Sequence, residues 1–333
     1  MKASGFCVVL AVFVIALITV TATATDWYVD AINGSDATGD GSQVAPWRSL
    51  TFALDNTTGT ESDPAILHIA TGTYSPSATG DTFPLTTLSG ESYRLLGAGY
   101  EKTIIDAEQT SFVFDCCGDS GDYIEFNGLT VTGGSPSATW YGGGIHITDR
   151  MDADIMRCRI TGNMGNSGID FGGVWTYGTL TITDSIISDN YCTGEAGGGI
   201  RADYSYLHMK NCLIVDNSSE WPYEDEGGGV NITSSETTMV NCTVVGNEPN
   251  GVWLYAGATA TLTNCILWNN GDDIYTDYAD PPTIRHCNIS DGDGLGENGN
   301  ISQDPLFVSG PQGDYYLSHA GVNSKKKEQK KAK

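Results

Sequence analysis

The sequence predicts an all-β chain wound as a right-handed parallel β-helix, a solenoid with a short N-terminal capping helix. Three observations carry that prediction. The first is a column of small residues, Cys158, Ser185, Cys212, Cys242 and Cys265, spaced by 27, 27, 30 and 23, with a degenerate sixth copy at Cys287 after another 22. Each of the first five is followed five positions later by Asn163, Asn190, Asn217, Asn247 or Asn270. The second is a strand pattern that precedes each column position: GGGIHI (142–147), GGVWTY (172–177), GGGIRA (197–202), GGGVNI (227–232) and GVWLYA (251–256). The third is composition, with 42 glycines in 333 residues and few helix-forming stretches. A period of this length marks stacked supersecondary units, each burying its neighbour's apolar face. It is too short for a four-stranded propeller blade, and the Leu-rich helical half of a leucine-rich repeat is missing.

Residues 1–24 read as a secretory signal: Lys2, an apolar stretch from Phe6 to Ile18, and the small-x-small site Ala22-Thr23-Ala24. The apolar run falls short of the roughly 18 residues of a membrane-spanning helix. The mature chain is therefore expected to be secreted or at the cell surface, without a transmembrane span. Formal net charge is −25; the last nine residues, KKKEQKKAK, add +5, so the rest carries −30. Such a body does not suit nucleic acid or anionic membrane. It suits solubility in salt and divalent cations. Calcium is the one cofactor the sequence offers a place for, in the loop of Asp115, Asp119 and Asp122 around Cys116-Cys117.

The elements follow in order. Residues 25–64 form an N-terminal cap: a strand at Trp27–Asp30, a Gly/Asp/Ser loop, Pro46, and an amphipathic helix near Trp47–Leu54 with Leu50, Phe52, Ala53 and Leu54 as its apolar side. An uncapped β-helix would expose apolar surface and unpaired strand edges, so a plug is physically required. Residues 65–318 are the β-helix, irregular to about 134 and regular thereafter. Phe126, Leu129 and Val131 take interior positions in the irregular part. In the regular part the interior residues are Ile155, Ile182, Met209, Met239, Leu262 and Ile284, three before the column. Ile160, Ile187, Ile214, Val244, Leu267 and Ile289, two after it, join them. Between these sets lies a bend ending at Asp184, Asn211, Asn241 or Asn264, where Asn tolerates left-handed backbone and stacked amides form a ladder. The column cysteines are expected as buried thiols, because side chains stacked in parallel do not reach disulfide geometry easily. Insertions gather at 191–196, 218–226 and 248–250. DPLF and GDYYLS (304–318) read as closing strands, and 319–333 as a disordered Lys-rich tail.

These motifs carry a resemblance. WYVDAINGSDATGDGSQVAPWRSL, with Ile66–Ala70 and GTY (72–74) after it, resembles the N-terminal segment of secreted β-helix proteins in the pectate-lyase-like superfamily. The bend column resembles that fold's asparagine ladder. The GGG(I/V) and xxxN pairing is similar to the repeats of polymorphic outer-membrane adhesins, with Ile, Val or Leu in place of Phe. The resemblance implies a polysaccharide groove along the first strand of each coil. The superfamily's WxDH, RxPxxR, hydrolase and DPHD signatures are missing here.

Strand alternation names the groove's residues. With Ile145, Val174, Ile200, Val230, Val252 and Ile274 inward, His146, Trp175, Arg201, Asn231, Trp253 and Tyr275 point outward. A second outward row holds Thr148, Tyr177, Asp203, Thr233, Tyr255 and Asp277. Aromatic faces suit sugar C–H surfaces, and Arg, Asn and Asp suit hydroxyls and carboxylates. Substrate binding is thus assigned to Trp175, Tyr177, Arg201, Asn231, Trp253, Tyr255, Tyr275 and Asp277. Arg201, Asp203 and His146 are the catalytic candidates, since β-elimination needs a base and a cation. Two functions follow: binding, and in its fuller form cleavage, of extracellular and mainly acidic polysaccharide; or a non-catalytic, adhesin-like surface solenoid.

Overall fold

The computed structural model describes residues 26–135, 143–148, 150–166, 171–193, 197–220, 227–310 and 313–317; the predicted signal and Lys-rich tail lie outside them. Three long parallel sheets run the length of the coil, with ten, eight and nine strands. One full turn shows their order. The front sheet takes Ile145–Ile147, the flank sheet Asp152–Met156, and the back sheet Arg159–Thr161. Met164–Gly165 then begins a small three-stranded sheet before the chain returns to the front at Val174–Thr176. Strand stacking is in register, Ile145 against Val174, Val174 against Ile200, and Ile200 against Val230.

Register turns a sequence repeat into a core. Every residue predicted inward, from Ile145 to Ile274 on the front and through both sets flanking the Cys column, belongs to one continuous apolar cluster. Cys158, Cys212, Cys242, Cys265 and Cys287 are all free and buried within it. Their thiols donate to backbone carbonyls, Cys212 to Ile182 O at 3.3 Å and Cys265 to Met239 O at 3.4 Å. Burial pushes the Cys158 thiol up to about 12.

Two asparagine ladders hold the corners. The bend residues Arg157, Asp184, Asn211, Asn241, Asn264 and His286 all have φ between +50° and +55°. Their amides chain outward on the surface: Asn264 to Asn241, Asn241 to Asn211, and Asn211 to Asp184 at 2.6, 3.1 and 2.9 Å. The second ladder is the buried one. Asn163, Asn190, Asn217 and Asn247 each donate Nδ2 to the next Oδ1 at 2.9–3.0 Å, and Asn270 ends the row on Asp273 at 2.7 Å. The glycine before each front strand is demanded first by the backbone of the next coil and then by this ladder. A Cβ on Gly144, Gly173, Gly199 or Gly229 would meet a ladder amide at 3.0–3.1 Å and a backbone carbonyl at 2.3–2.5 Å.

A strand and a short helix precede the first coil. The helix is shorter than expected, Leu50–Asp55, with Leu50, Ala53 and Leu54 buried. Trp47 lies before it because its backbone bridges Val29 and its ring stacks on Trp27 at 4.9 Å. Ser49 then caps the helix, accepting from Phe52 N at 3.2 Å, and Asp36 accepts from both Arg48 N and Ser49 N. At the other end the expected closing strands fold differently. Phe307–Gly310 and Gly313–Leu317 make an antiparallel hairpin laid against the outside of the coil, with Tyr315 Oη donating to Asp216 at 3.3 Å. The open end is closed instead by the preceding turns, where Asn300 accepts from Cys287 N at 3.0 Å. No helix among the described residues is long and apolar enough to cross a membrane.

Candidate functional site

The first predicted outward row forms in full and the second from Asp203 onward, with Thr148 and Tyr177 just past the ends of their strands and the Tyr177 ring 5.0 Å from Trp175. His146, Trp175, Arg201, Asn231, Trp253 and Tyr275 are direct cross-strand neighbours, and so are Asp203, Thr233, Tyr255 and Asp277. Asp115 extends the first row by one strand. Trp175 and Trp253 are buried yet stand outside the coil's apolar cluster, which takes in Val174 and Val252 beside them, so this row faces out. It is nevertheless not an open strip. His146, Trp175, Asp203, Asn231 and Trp253 are each 5% exposed or less.

The cover comes from the turns that lead into the front strands. Phe171 stands where other repeats carry the first glycine of the triplet, and its ring lies 5.7 Å from His146 and 5.6 Å from Trp175. Gly197 and Gly227 bring backbone onto the same face: a Cβ there would sit 3.0 Å from the Asn231 Cβ and 2.8 Å from the Trp253 Cβ. The glycine triplets held that signal. Their first member is small because a loop returns across the outer row, and counting side-chain direction alone misses it.

The three catalytic candidates do not form one cluster. Arg201 Nε donates to Asp203 Oδ2 at 2.7 Å, and Trp175 Nε1 donates to the same oxygen at 2.9 Å. The Arg201 guanidinium lies over the Trp175 ring at 5.1 Å. His146 is two strands away, about 10 Å along the sheet. Its ring stacks on Trp175 at 4.7 Å, and Nδ1 bonds Asp115 at 3.1 Å. Lys210 projects from the flank sheet, away from this group. The pair Asp203–Arg201 keeps unused capacity: Arg201 Nη1 and Asp203 Oδ1 are out of contact with solvent and have no hydrogen-bond partner. So is Trp253 Nε1, two strands further on. Beyond it the aromatic rows open. Trp253 stacks on Tyr255 at 5.0 Å, and Tyr278, 82% exposed, meets Tyr255 edge-on at 6.1 Å. Tyr275 and Asp277 are partly exposed on the last front strand.

The acidic loop around Cys116 spends its carboxylates locally. Asp122 Oδ2 accepts from Gly90 N and Asp119 N, and Asp115 holds His146. Carboxylates converge elsewhere: oxygens of Asp272, Asp291 and Asp293 lie within 4.8 Å of one another, the hard oxygen donors that calcium takes. Burial first, and then the charge of Asp291, raises Asp272 and Asp293 above the usual carboxylate range. The neighbouring Asp273 is committed to structure, with Oδ1 on Asn270 and Oδ2 on Ser290.

A coil of stacked parallel strands with asparagine ladders defines a β-helix protein, and comparison with known families agrees. Residues 114–271 and 222–303 match the family described as Right handed beta helix region, and the chain belongs to it. No curated protein matches the sequence. Solved structures similar in fold include a pectate lyase, at 15% identity and TM-score 0.49, covering 90% of each chain. A rhamnogalacturonan lyase is 12% identical at TM-score 0.39, covering 90% of this chain and 98% of that one. The pectin methylesterase from carrot is 11% identical at TM-score 0.42, covering 84% and 88%. These likenesses concern the course of the chain, not its chemistry.

Proposed function

We propose that the chain is an exported protein that binds extracellular polysaccharide on the front sheet, at the strands from Ile200 to Asp277. The observation that carries this reading is the open end of the aromatic rows, where Trp253 stacks on Tyr255 at 5.0 Å and Tyr278, 82% exposed, meets Tyr255 at 6.1 Å. The unpartnered Arg201 Nη1 and Asp203 Oδ1 are out of contact with solvent and belong to the covered part of the same row. Trp253, Tyr255 and Tyr278 supply ring faces for the C–H side of neighbouring sugars. Asn231 stands between the two groups in the row.

Binding without cleavage fits this geometry better than catalysis. Asp203, which already accepts from Arg201 and Trp175, is 3% exposed, and His146 is 5% exposed beneath Phe171, so neither is open to a substrate. The adhesin-like reading shares that feature and differs only in needing no glycan.

The test is retention on immobilised polygalacturonate, with and without calcium, and on neutral glucans. Tyr255→Ala and Tyr278→Ala should each lower affinity about tenfold with unchanged circular dichroism, and Trp253→Ala should do so while also destabilising the coil, because that side chain is 4% exposed. Arg201→Ala is the poorer probe, because it strands a buried carboxylate and destabilises the coil by about 3–5 kcal/mol. Unchanged retention in the three aromatic variants removes the site. An unsaturated product absorbing in the ultraviolet overturns the non-catalytic reading.

A further inference from the structure

The hairpin at the C-terminal end encloses a second space, far from the front sheet. A cleft of about 560 Å³ lies between Tyr315 and Tyr316 of the hairpin and the corner where the flank and back sheets meet. That volume is within the range of small-molecule sites, roughly 300–1,000 Å³. We propose that this cleft binds a neutral, extended β-linked oligosaccharide, at a site independent of the front-sheet site.

Three features of its wall favour that ligand. The first is a line of amides. Asn211 and Asn241 each give one Nδ2 hydrogen to the next ladder residue and are exposed, so the second hydrogen of each faces out. These donors recur at the strand spacing of about 4.8 Å, close to the repeat of an extended β-linked hexose chain. The second is aromatic surface, from Tyr100 on one side and the two hairpin tyrosines on the other. The Tyr100 ring is backed by the Arg159 guanidinium, 5.0 Å from its centroid. The third is an unmet bond: Tyr100 lines the cleft, and its Oη, covered from solvent and without a partner, gains one when the ring turns toward a ligand. A phenol held at a cleft wall with its hydroxyl unpaired suits a sugar hydroxyl, which donates and accepts equally well.

The charges select a neutral sugar. Arg157, which donates to the neutral Asn127 Oδ1 at 2.7 Å, and Asp184 both line the cleft, and Asp216 anchors the hairpin beside it, so the local charges offset one another. A uronate would find no net positive charge there, inside a body that is strongly acidic. Glucose- and xylose-type chains carry no such penalty.

The experiment titrates the full chain with cellohexaose, xylohexaose and maltohexaose by calorimetry, alongside Tyr100→Phe, Tyr315→Ala and Trp253→Ala. Tyr100→Phe removes one hydroxyl and keeps the ring, so its fold is preserved even if Tyr315→Ala loosens the hairpin. Cellohexaose or xylohexaose should bind, the helical maltohexaose should bind more weakly, and Tyr100→Phe should weaken binding about five- to tenfold. Trp253→Ala should leave this site intact. If Tyr100→Phe and Tyr315→Ala bind like the unaltered chain while Trp253→Ala does not, the cleft proposal falls and the front-sheet site stands. Loss only in the two tyrosine variants places the β-linked chain in the cleft and not on the front sheet. Absence of binding by every β-linked probe overturns the cleft proposal outright.

Discussion

Asn217→Ala isolates the buried ladder. Asn217 Oδ1 accepts from Asn190 N at 3.1 Å and Asn190 Nδ2 at 3.0 Å, and its own Nδ2 donates to Ile187 O and Asn247 Oδ1 at 2.9 and 3.0 Å. Truncation strands the two Asn190 donors in a site that is 0% exposed. At about 1–3 kcal/mol for each orphaned donor, the loss is about 2–6 kcal/mol. The outer ladder provides the control. Asn241→Gly also removes two amide bonds, but both partners are exposed and turn to water. Its φ of +55° is one that glycine adopts freely, so the cost should stay below about 1 kcal/mol. Urea unfolding read by both circular dichroism and tryptophan fluorescence measures the difference, the two probes testing whether the solenoid melts as one unit. Equal losses in the two variants, or a loss under about 1 kcal/mol for Asn217→Ala, would refute the claim that burial makes this ladder the stronger one.

Further outcomes are expected. Gly199→Ala should destabilise by about 3 kcal/mol or more, because the new Cβ would sit 2.5 Å from Gly229 O and 3.0 Å from the Asn217 amide carbon. Gly90→Ala, with nothing within 4 Å and only a φ of +85° against it, should cost about 1–2 kcal/mol in the same unfolding assay. A chromogenic disulfide reagent at pH 8 should leave the thiols of Cys158, Cys242 and Cys265 unmodified in the folded chain and react with them in guanidinium. All three are buried, Cys158 pushed up to about 12 by burial and the other two to about 12 chiefly by hydrogen bonding to the neighbouring thiol; rapid native modification would contradict this. The fold raises Asp272 and Asp293 above the ordinary carboxylate value of 3.8, so it binds protons more tightly than the unfolded chain. Their contribution is therefore present below that value and lost as pH rises through the folded-state values. Asp293→Asn should raise the melting temperature at pH 7 and do little at pH 3.5. A larger gain at the acid end would reverse the sign and refute the crowding of these carboxylates.

Much of this was legible from letters alone. A strict alternation of inward residues, a five-residue offset from Cys to Asn, and Asn at a left-handed bend each follow from backbone geometry that a single strand already possesses. Stacking identical strands then adds no freedom, so the repeat alone fixes the register of Ile145, Val174 and Ile200. The same logic placed the bend ladder. It did not show that the signpost asparagines, Asn163 to Asn270, form a second and buried ladder. Whether a recurring amide lies inside or outside depends on which way the corner turns.

The sequence by itself determined the coil, its repeat, its inward face and the order of side chains along the front sheet, because those depend on contacts between equivalent positions one turn apart. Only the tertiary structure decided which outward residues meet solvent. Phe171 and the backbone at Gly197 and Gly227 fold over the front sheet, closing His146 and Trp175 into a packed layer and leaving Tyr255, Tyr275 and Tyr278 at its open end. The hairpin's place against the far corner, and the cleft it makes there, were equally hidden. Loops and hairpins pair with distant, non-equivalent positions, and no periodicity in the letters records where such a segment comes to rest.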